Sequence, residues 1–253
     1  MTIDLLKLKQ LVYGKNDFEP IYEGLNGENH LSRSSPAKVI DGKIYILDIL
    51  SPTEKEEAKA HELGHELIKG RGMIRCEAYN ELDDGKLFLF GEINNSLSHK
   101  ELISTLSSEF NLSSGLHLQL QLNALLYGGI EQKIANCSND KFGLYAIGLE
   151  LFDIQRTVEG NYDEEIRKLC TKSIYVKKGL EVGTKYLDSI NLNSTREEQI
   201  KALACVMTEF ELGHLLDINY YYPLPIEIYC KEEDISHLML NEIKSIFMKQ
   251  AQK

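Results

Sequence analysis

Basic charge is scarce in this chain: 28 Lys and Arg face 39 Asp and Glu, a formal net charge of −11 over 253 residues. A nucleic-acid-binding surface would have to work against that field, so direct binding to nucleic acid is not expected. Long apolar runs are missing too. No stretch approaches the roughly 20 uninterrupted apolar residues of a membrane helix, and the first residues lack a basic segment followed by an apolar one. The expectation is a soluble, cytoplasmic protein with no membrane partner. Cysteine pairs are absent as well: Cys76, Cys137, Cys170, Cys205 and Cys230 are odd in number and contain no C-x-x-C. That pattern excludes a disulfide framework and a cysteine-built zinc knuckle and leaves reduced, buried thiols.

What is present is ordinary globular composition, 43% hydrophobic and 26% charged, enough for a sizeable core. The apolar spacing of Leu5, Leu6, Leu8, Leu11 and Val12 reads as a short helix, followed by a polar loop up to Pro36. Two β-prone runs, Lys38-Val39-Ile40 and Lys43-Ile44-Tyr45-Ile46-Leu47, flank Asp41-Gly42, a strong hairpin signal. Ser51-Pro52-Thr53-Glu54 then offers a capping serine, a proline at the first helical position and a glutamate at the third, so a helix starts there. Gly70 and Gly72, beside Lys69 and Arg71, end it, and Ala60, Leu63, Gly64, Leu67 and Ile68 form its buried stripe.

Asp83-Asp84-Gly85 reads as a stop, and Lys86 to Phe90 as a strand or the start of a helix. From Glu92 to Phe110 the pattern is helical, with Ser98-His99-Lys100-Glu101 a candidate break because it is itself a capping-box sequence. Helices are expected over 115–136, 140–158, 162–190, 195–217 and 231–250, the fourth opened by Ser194 with Glu197, and Tyr220 to Pro225 interrupts them. The fold class expected is therefore α+β: a zincin-like N-terminal part with a small antiparallel sheet and one motif-bearing helix, then a mainly α-helical half. The division falls at a domain over 1–112 and a helical domain or extension over 113–253.

The motif is His61-Glu62-Leu63-Gly64-His65. Histidines four apart on a helix share a face, close enough for both imidazoles to reach one zinc ion at about 2.0–2.1 Å. Glu62 lies about 100° around from His61, beside the metal without having to ligate it, where a general base for a zinc-bound water belongs. Gly64 lets another element pack close to this helix. The later echo Phe210-Glu211-Leu212-Gly213-His214 matches no repeat period and is given no metal role.

A catalytic zinc takes a third protein ligand and keeps its fourth position for water. Downstream candidates are Glu77, Glu81, Glu92, His99, Glu101 and Glu131. Glu92 is favoured, because Asn95, Ser96 and His99 share its helix face as one polar stripe. His99 is the runner-up, and His99 and Asn95 otherwise suit a supporting role behind the ligands. Tyr45, Tyr79 and Tyr220 to Tyr222 are candidate oxyanion donors.

Ala60-His61-Glu62-Leu63-Gly64-His65-Glu66-Leu67 resembles the signature helix of the HExxH zinc metallopeptidases of gluzincin type, most of all the ImmA/IrrE-like branch. The likeness covers residues 38 to 70, with hairpin and acid-rich helix start in the same order. It implies that His61 and His65 bind zinc, that Glu62 is catalytic, and that a downstream helical glutamate, which Glu92 could match, completes the site. Glu92-Ile93-Asn94-Asn95-Ser96 departs from the Ala-Asn and Phe-Ala pattern that follows the family's glutamate. The function expected is zinc-dependent hydrolysis of a peptide bond in a protein or peptide substrate, with an intracellular regulatory protein among the substrates the resemblance implies. The alternative is a regulatory or scaffold protein of zincin fold whose helical half binds a protein partner without proteolysis.

Overall fold

The computed structural model describes residues 3–14, 19–29, 31–40, 43–78, 82–212 and 226–228, with backbone alone at 3, 77–78 and 226–228. The helix expected over 231–250, the interruption at Tyr220 to Tyr222, and Tyr79, Glu81 and His214 lie outside the described residues.

The described chain is a mixed α+β structure dominated by helices. Helix α1 (Ile3–Tyr13) leads into strands β1 (Ile21–Glu23), β2 (Ala37–Ile40) and β3 (Lys43–Leu47). The hairpin of β2 and β3 is antiparallel, with Ala37 opposite Ile46 and Ile40 opposite Lys43. The sheet as a whole is mixed, not antiparallel as expected: β1 pairs parallel to β3, which therefore sits in the middle of the order β1-β3-β2. Three residues in a Gly- and Asn-rich stretch carry no period that could have revealed β1.

Helix α2 (Pro52–Gly70) starts as its sequence dictates: Ser51 Oγ accepts from Glu54 N, and the Glu54 carboxylate accepts from Ser51 N at 2.8 Å. After β4 (Cys76–Ala78), which pairs with β5 (Ile226–Ile228), comes α3 (Asp84–Phe110). Here two sequence expectations are corrected. Asp83-Asp84-Gly85 begins a helix rather than stopping one, because Asp83 Oδ1 accepts from Lys86 N at 2.9 Å as an N-cap. Ser98 does not break the helix, because its hydroxyl donates to Asn94 O at 2.8 Å, one turn back, and caps nothing.

The remaining described helices are α4 (Gly115–Leu126), α5 (Gly129–Asn136), α6 (Lys141–Thr157), α7 (Asp163–Cys170), α8 (Ile174–Tyr186) and α9 (Arg196–Glu209). The expected helix over 115–136 is thus two, parted at Gly128, whose φ of +83° suits glycine. The span 162–190 is likewise α7 and α8, the second capped by Ser173 Oγ. Helix α9 is capped by Thr195 with Glu198, one residue later than the Ser194 and Glu197 pair.

Helix α6 is the axle of the helical part, buried without a gap from Gly143 to Ile154. Helices that are apolar all round must be covered on every face, and α3 and α8 cover this one. The approach of α8 is set by two glycines. A Cβ on Gly148 would lie 2.2 Å from Val176 O, and one on Gly179 would lie 2.3 Å from Tyr145 O. Both clashes are with backbone, which cannot rotate away. Gly148→Ala should therefore destabilise the protein by about 3 kcal/mol, the upper end for overpacking, read as a lower denaturant midpoint at unchanged slope. Gly64 has a comparable role on α2, where a Cβ would meet Leu102 Cγ of α3 at 2.8 Å. One core cluster joins Leu63 and Ile68 of α2, Ile93 and Leu97 of α3, Leu149 of α6 and Leu203 of α9. No described helix is long and apolar enough to cross a membrane.

Candidate metal centre

His61 and His65 stand one turn apart on α2, with ring centroids 4.9 Å apart. The close α2–α3 packing brings His99 beside both, at 5.1 Å from each ring. Two imidazoles bound to one tetrahedral ion with metal–nitrogen bonds of about 2.0–2.1 Å place their ring centroids about 5 Å apart. The three pairs have that spacing, and one nitrogen from each ring falls within 4.8 Å of the others.

The hydrogen bonds behind the rings decide which nitrogen is available. Ser98 donates its proton to Asn94 O, so its oxygen accepts from His65 Nδ1 at 3.2 Å and leaves His65 Nε2 with its lone pair. His99 Nδ1 donates to Asp153 Oδ2 at 2.6 Å, which leaves His99 Nε2 as the open atom. Such carboxylate and hydroxyl partners fix tautomer and ring orientation in metal sites. His61 Nδ1 is shut from solvent with no hydrogen-bond partner among the described residues. Burial holds His61 and His65 well below the usual histidine range, and the neighbouring imidazoles add to the shift. Neutral imidazole is the form that binds a metal. Ring spacing, tautomers and an orphaned buried nitrogen all fit a divalent cation with three nitrogen ligands.

His117 was not singled out by sequence reasoning, yet it touches the cluster. Ser114 makes no side-chain cap for α4, and Glu57, one turn before His61 on α2, accepts from Leu116 N at 2.6 Å instead. That bond sets the next residue, His117, over His61, stacked at 4.2 Å with rings 22° from parallel. Near-parallel stacked rings cannot converge on one ion, so His117 does not share an ion with His61; it forms a second group with His99 and Asp153, one ligand atom of each lying within 4.8 Å of the others, and its Nε2 is buried with no hydrogen-bond partner among the described residues. Burial first, then His99, pushes it down to about 3.

Asp153 was missed too. It is 1% exposed in α6 and accepts on Oδ2 from His99 and from Gln121 Nε2 at 2.8 Å. Burial would raise its carboxyl, but His99 and its hydrogen bond outweigh this and hold it below the ordinary range. A signal existed: Glu150 and Asp153 are the acids of the otherwise apolar run Ala146 to Ile154.

Glu62 lines the same cavity as the three histidines. Burial pushes its carboxyl up to about 7 against the pull of the Arg75 guanidinium, and Glu66 adds to the rise. Glu92 is not in the histidine cluster. It lies two turns back along α3, where its Oε1 accepts from Asn95 Nδ2 at 3.3 Å. Glu101 is also outside the cluster, and Glu131 is on α5 in an exposed ion pair with Lys172. Of Glu77 only the backbone in β4 is described, and Tyr45 does not line the cavity.

The cavity has a volume of about 1150 Å³ and runs from β2 past the histidines to Lys133 and Glu150. Pro36 to Val39 line one side of it, and β2 is an outer strand of its sheet. The chain matches no protein-family model, no curated protein and no solved structure.

Proposed function

We propose that this chain is a zinc metallopeptidase of zincin-like fold, acting inside the cell on a protein or peptide, with His61, His65 and His99 as ligands and Glu62 as general base. The observation that carries this reading is the trio of rings at 4.9–5.1 Å with Ser98 and Asp153 behind two of them. Glu92, favoured by the helix-face argument, gives way here to His99 as third ligand.

Zinc held by three imidazoles supplies Lewis acidity toward a substrate carbonyl and lowers the pKa of water at the site to about 7. Glu62, with a carboxyl near 7, takes the proton of the attacking water as the carbon–oxygen bond forms and delivers it to the amine nitrogen as the carbon–nitrogen bond breaks. Asp153 holds His99 in the tautomer that keeps Nε2 free. The outer edge of β2, which pairs with no second strand among the described residues, supports a polypeptide substrate, because an extended segment can pair with such an edge and lie along the cavity.

Metal analysis tests the reading. Purified protein should hold about one zinc per chain, and His61→Ala should lose it. Full metal content in His61→Ala overturns the proposal. Asp153→Asn should keep the fold and weaken zinc binding by about 10- to 100-fold, as losses behind a ligand do, measured by competition with a chelating dye.

A further inference from the structure

Two ligand sets meet at His99. The first, with His61 and His65, is the centre described above; the second joins His99 of α3 to His117 of α4 and Asp153 of α6, one ligand atom of each within 4.8 Å of the others. Nothing in the second set comes from α2. Its geometry differs from that of the stack on His61: His117 crosses His99 at 68° with ring centroids 4.4 Å apart, an angle at which each ring can turn a nitrogen to a common point. Two atoms of the set lack partners. His117 Nε2 and Asp153 Oδ1 are both shut from solvent with no hydrogen-bond partner among the described residues, and Asp153 as a whole is 1% exposed. Oδ2 of the same carboxylate accepts from His99 Nδ1 at 2.6 Å and from Gln121 Nε2 at 2.8 Å. Buried polar atoms left without a partner are destabilising, and one cation between an imidazole nitrogen and a carboxylate oxygen satisfies both.

We propose that His99, His117 and Asp153 form a second seat for a divalent transition-metal ion such as zinc, and that a single ion occupies one seat or the other. Two imidazole nitrogens and a carboxylate oxygen make three protein donors, the number that zinc takes in open sites. Exclusion follows from His99. A neutral imidazole has one lone pair, its other nitrogen being protonated, so the ring serves either set but not both. His61, His65, His99, His117 and Asp153 line one cavity, so the ion passes between the seats without crossing the core. The second seat is the weaker, because its carboxylate is already shared with His99 and Gln121. An ion there is held without the helix that carries Glu62, in a holding position that leaves the motif histidines free. The proposal rests on the metallopeptidase reading only for what the first seat does.

The test removes the first seat. The full chain as His61→Ala/His65→Ala retains only His99 of the first set, and zinc added in competition with a chelating dye should still bind at about one per chain, at least about a hundredfold more weakly than in the native protein. X-ray absorption of that zinc-loaded variant should count two imidazoles on the ion. Adding His117→Ala should weaken binding by about tenfold or more and lower the count to one. Titration of the native protein should stop at about one zinc per chain, since the seats share His99. A double variant that binds no zinc, an ion there with a single imidazole, binding that is indifferent to His117→Ala, or two zinc ions on the native chain would each overturn the proposal. The imidazole count on the double variant needs no His117 variant to fold. Tight zinc and cleavage in the native protein beside a double variant that binds nothing would remove the second seat alone. Zinc held by the double variant as tightly as by the native protein, and lost with His117→Ala, would leave the second seat standing and remove the metallopeptidase reading.

Discussion

Glu62→Gln should abolish hydrolysis of a quenched-fluorescent peptide mixture, lowering the rate by about 10²- to 10⁴-fold, while leaving the zinc content of the protein untouched. The two halves of that expectation come from different properties of one position. Glu62 lines the same cavity as the clustered histidines but is not part of their cluster, so an amide in its place should leave the proposed ligands alone. What the amide lacks is a lone pair basic enough to accept a proton. Burial pushes the native carboxyl up to about 7, and a cation at the centre would draw it back down. The general base works as carboxylate, so native activity should fall as the pH drops through that value, with the acid limb at or below about 7. The residual activity of the Glu62→Gln protein should lack this limb. Unchanged hydrolysis in Glu62→Gln would leave a protein that binds metal but does no chemistry through this residue, the scaffold alternative.

The second large effect separates the two candidates for the third ligand. His99→Ala should lose zinc as completely as His61→Ala, at least a hundredfold in affinity, whereas Glu92→Gln should keep it. The geometry behind this contrast is the 5.1 Å spacing of His99 to both motif histidines, against the position of Glu92 two turns further along α3. Metal retained in His99→Ala and lost in Glu92→Gln would reverse the assignment and overturn the centre as described. His99→Ala also leaves Asp153 without its buried partner, so the variant's unfolding midpoint should be compared with that of Asp153→Asn. A shared loss of stability with divergent zinc affinity assigns the metal effect to the ring itself.

Much of this arrangement was legible locally. Ser51, Pro52 and Glu54 specify where α2 begins, the spacing of Ala60, Leu63, Leu67 and Ile68 specifies which face is buried, and the four-residue interval puts His61 and His65 on one side. Helical period and capping chemistry are short-range, so a single segment suffices to read them. The same reasoning stumbled where two local readings competed. Asp83-Asp84-Gly85 has the composition of a turn and the geometry of an N-cap, and Ser98-His99-Lys100-Glu101 spells a capping box in the middle of a continuous helix. At the first place the Asp83 N-cap decided; at the second packing along α3 did, because Leu97 and Leu102 are buried on either side of the apparent break.

The sequence by itself determined the pair of motif histidines, the glutamate between them and the helix that displays them. Which residue joins that pair was decided by tertiary structure alone. Helix-face logic placed Glu92, Asn95 and His99 in one stripe, but a stripe has length, and only the crossing of α2 over α3 at Gly64 and Leu102 selects the point along it that meets the motif. His117 and Asp153 reach the centre from α4 and α6, 52 and 88 residues beyond His65. No periodicity extends across such separations; the hydrogen bond from Leu116 N to Glu57 and the burial of α6 bring them there.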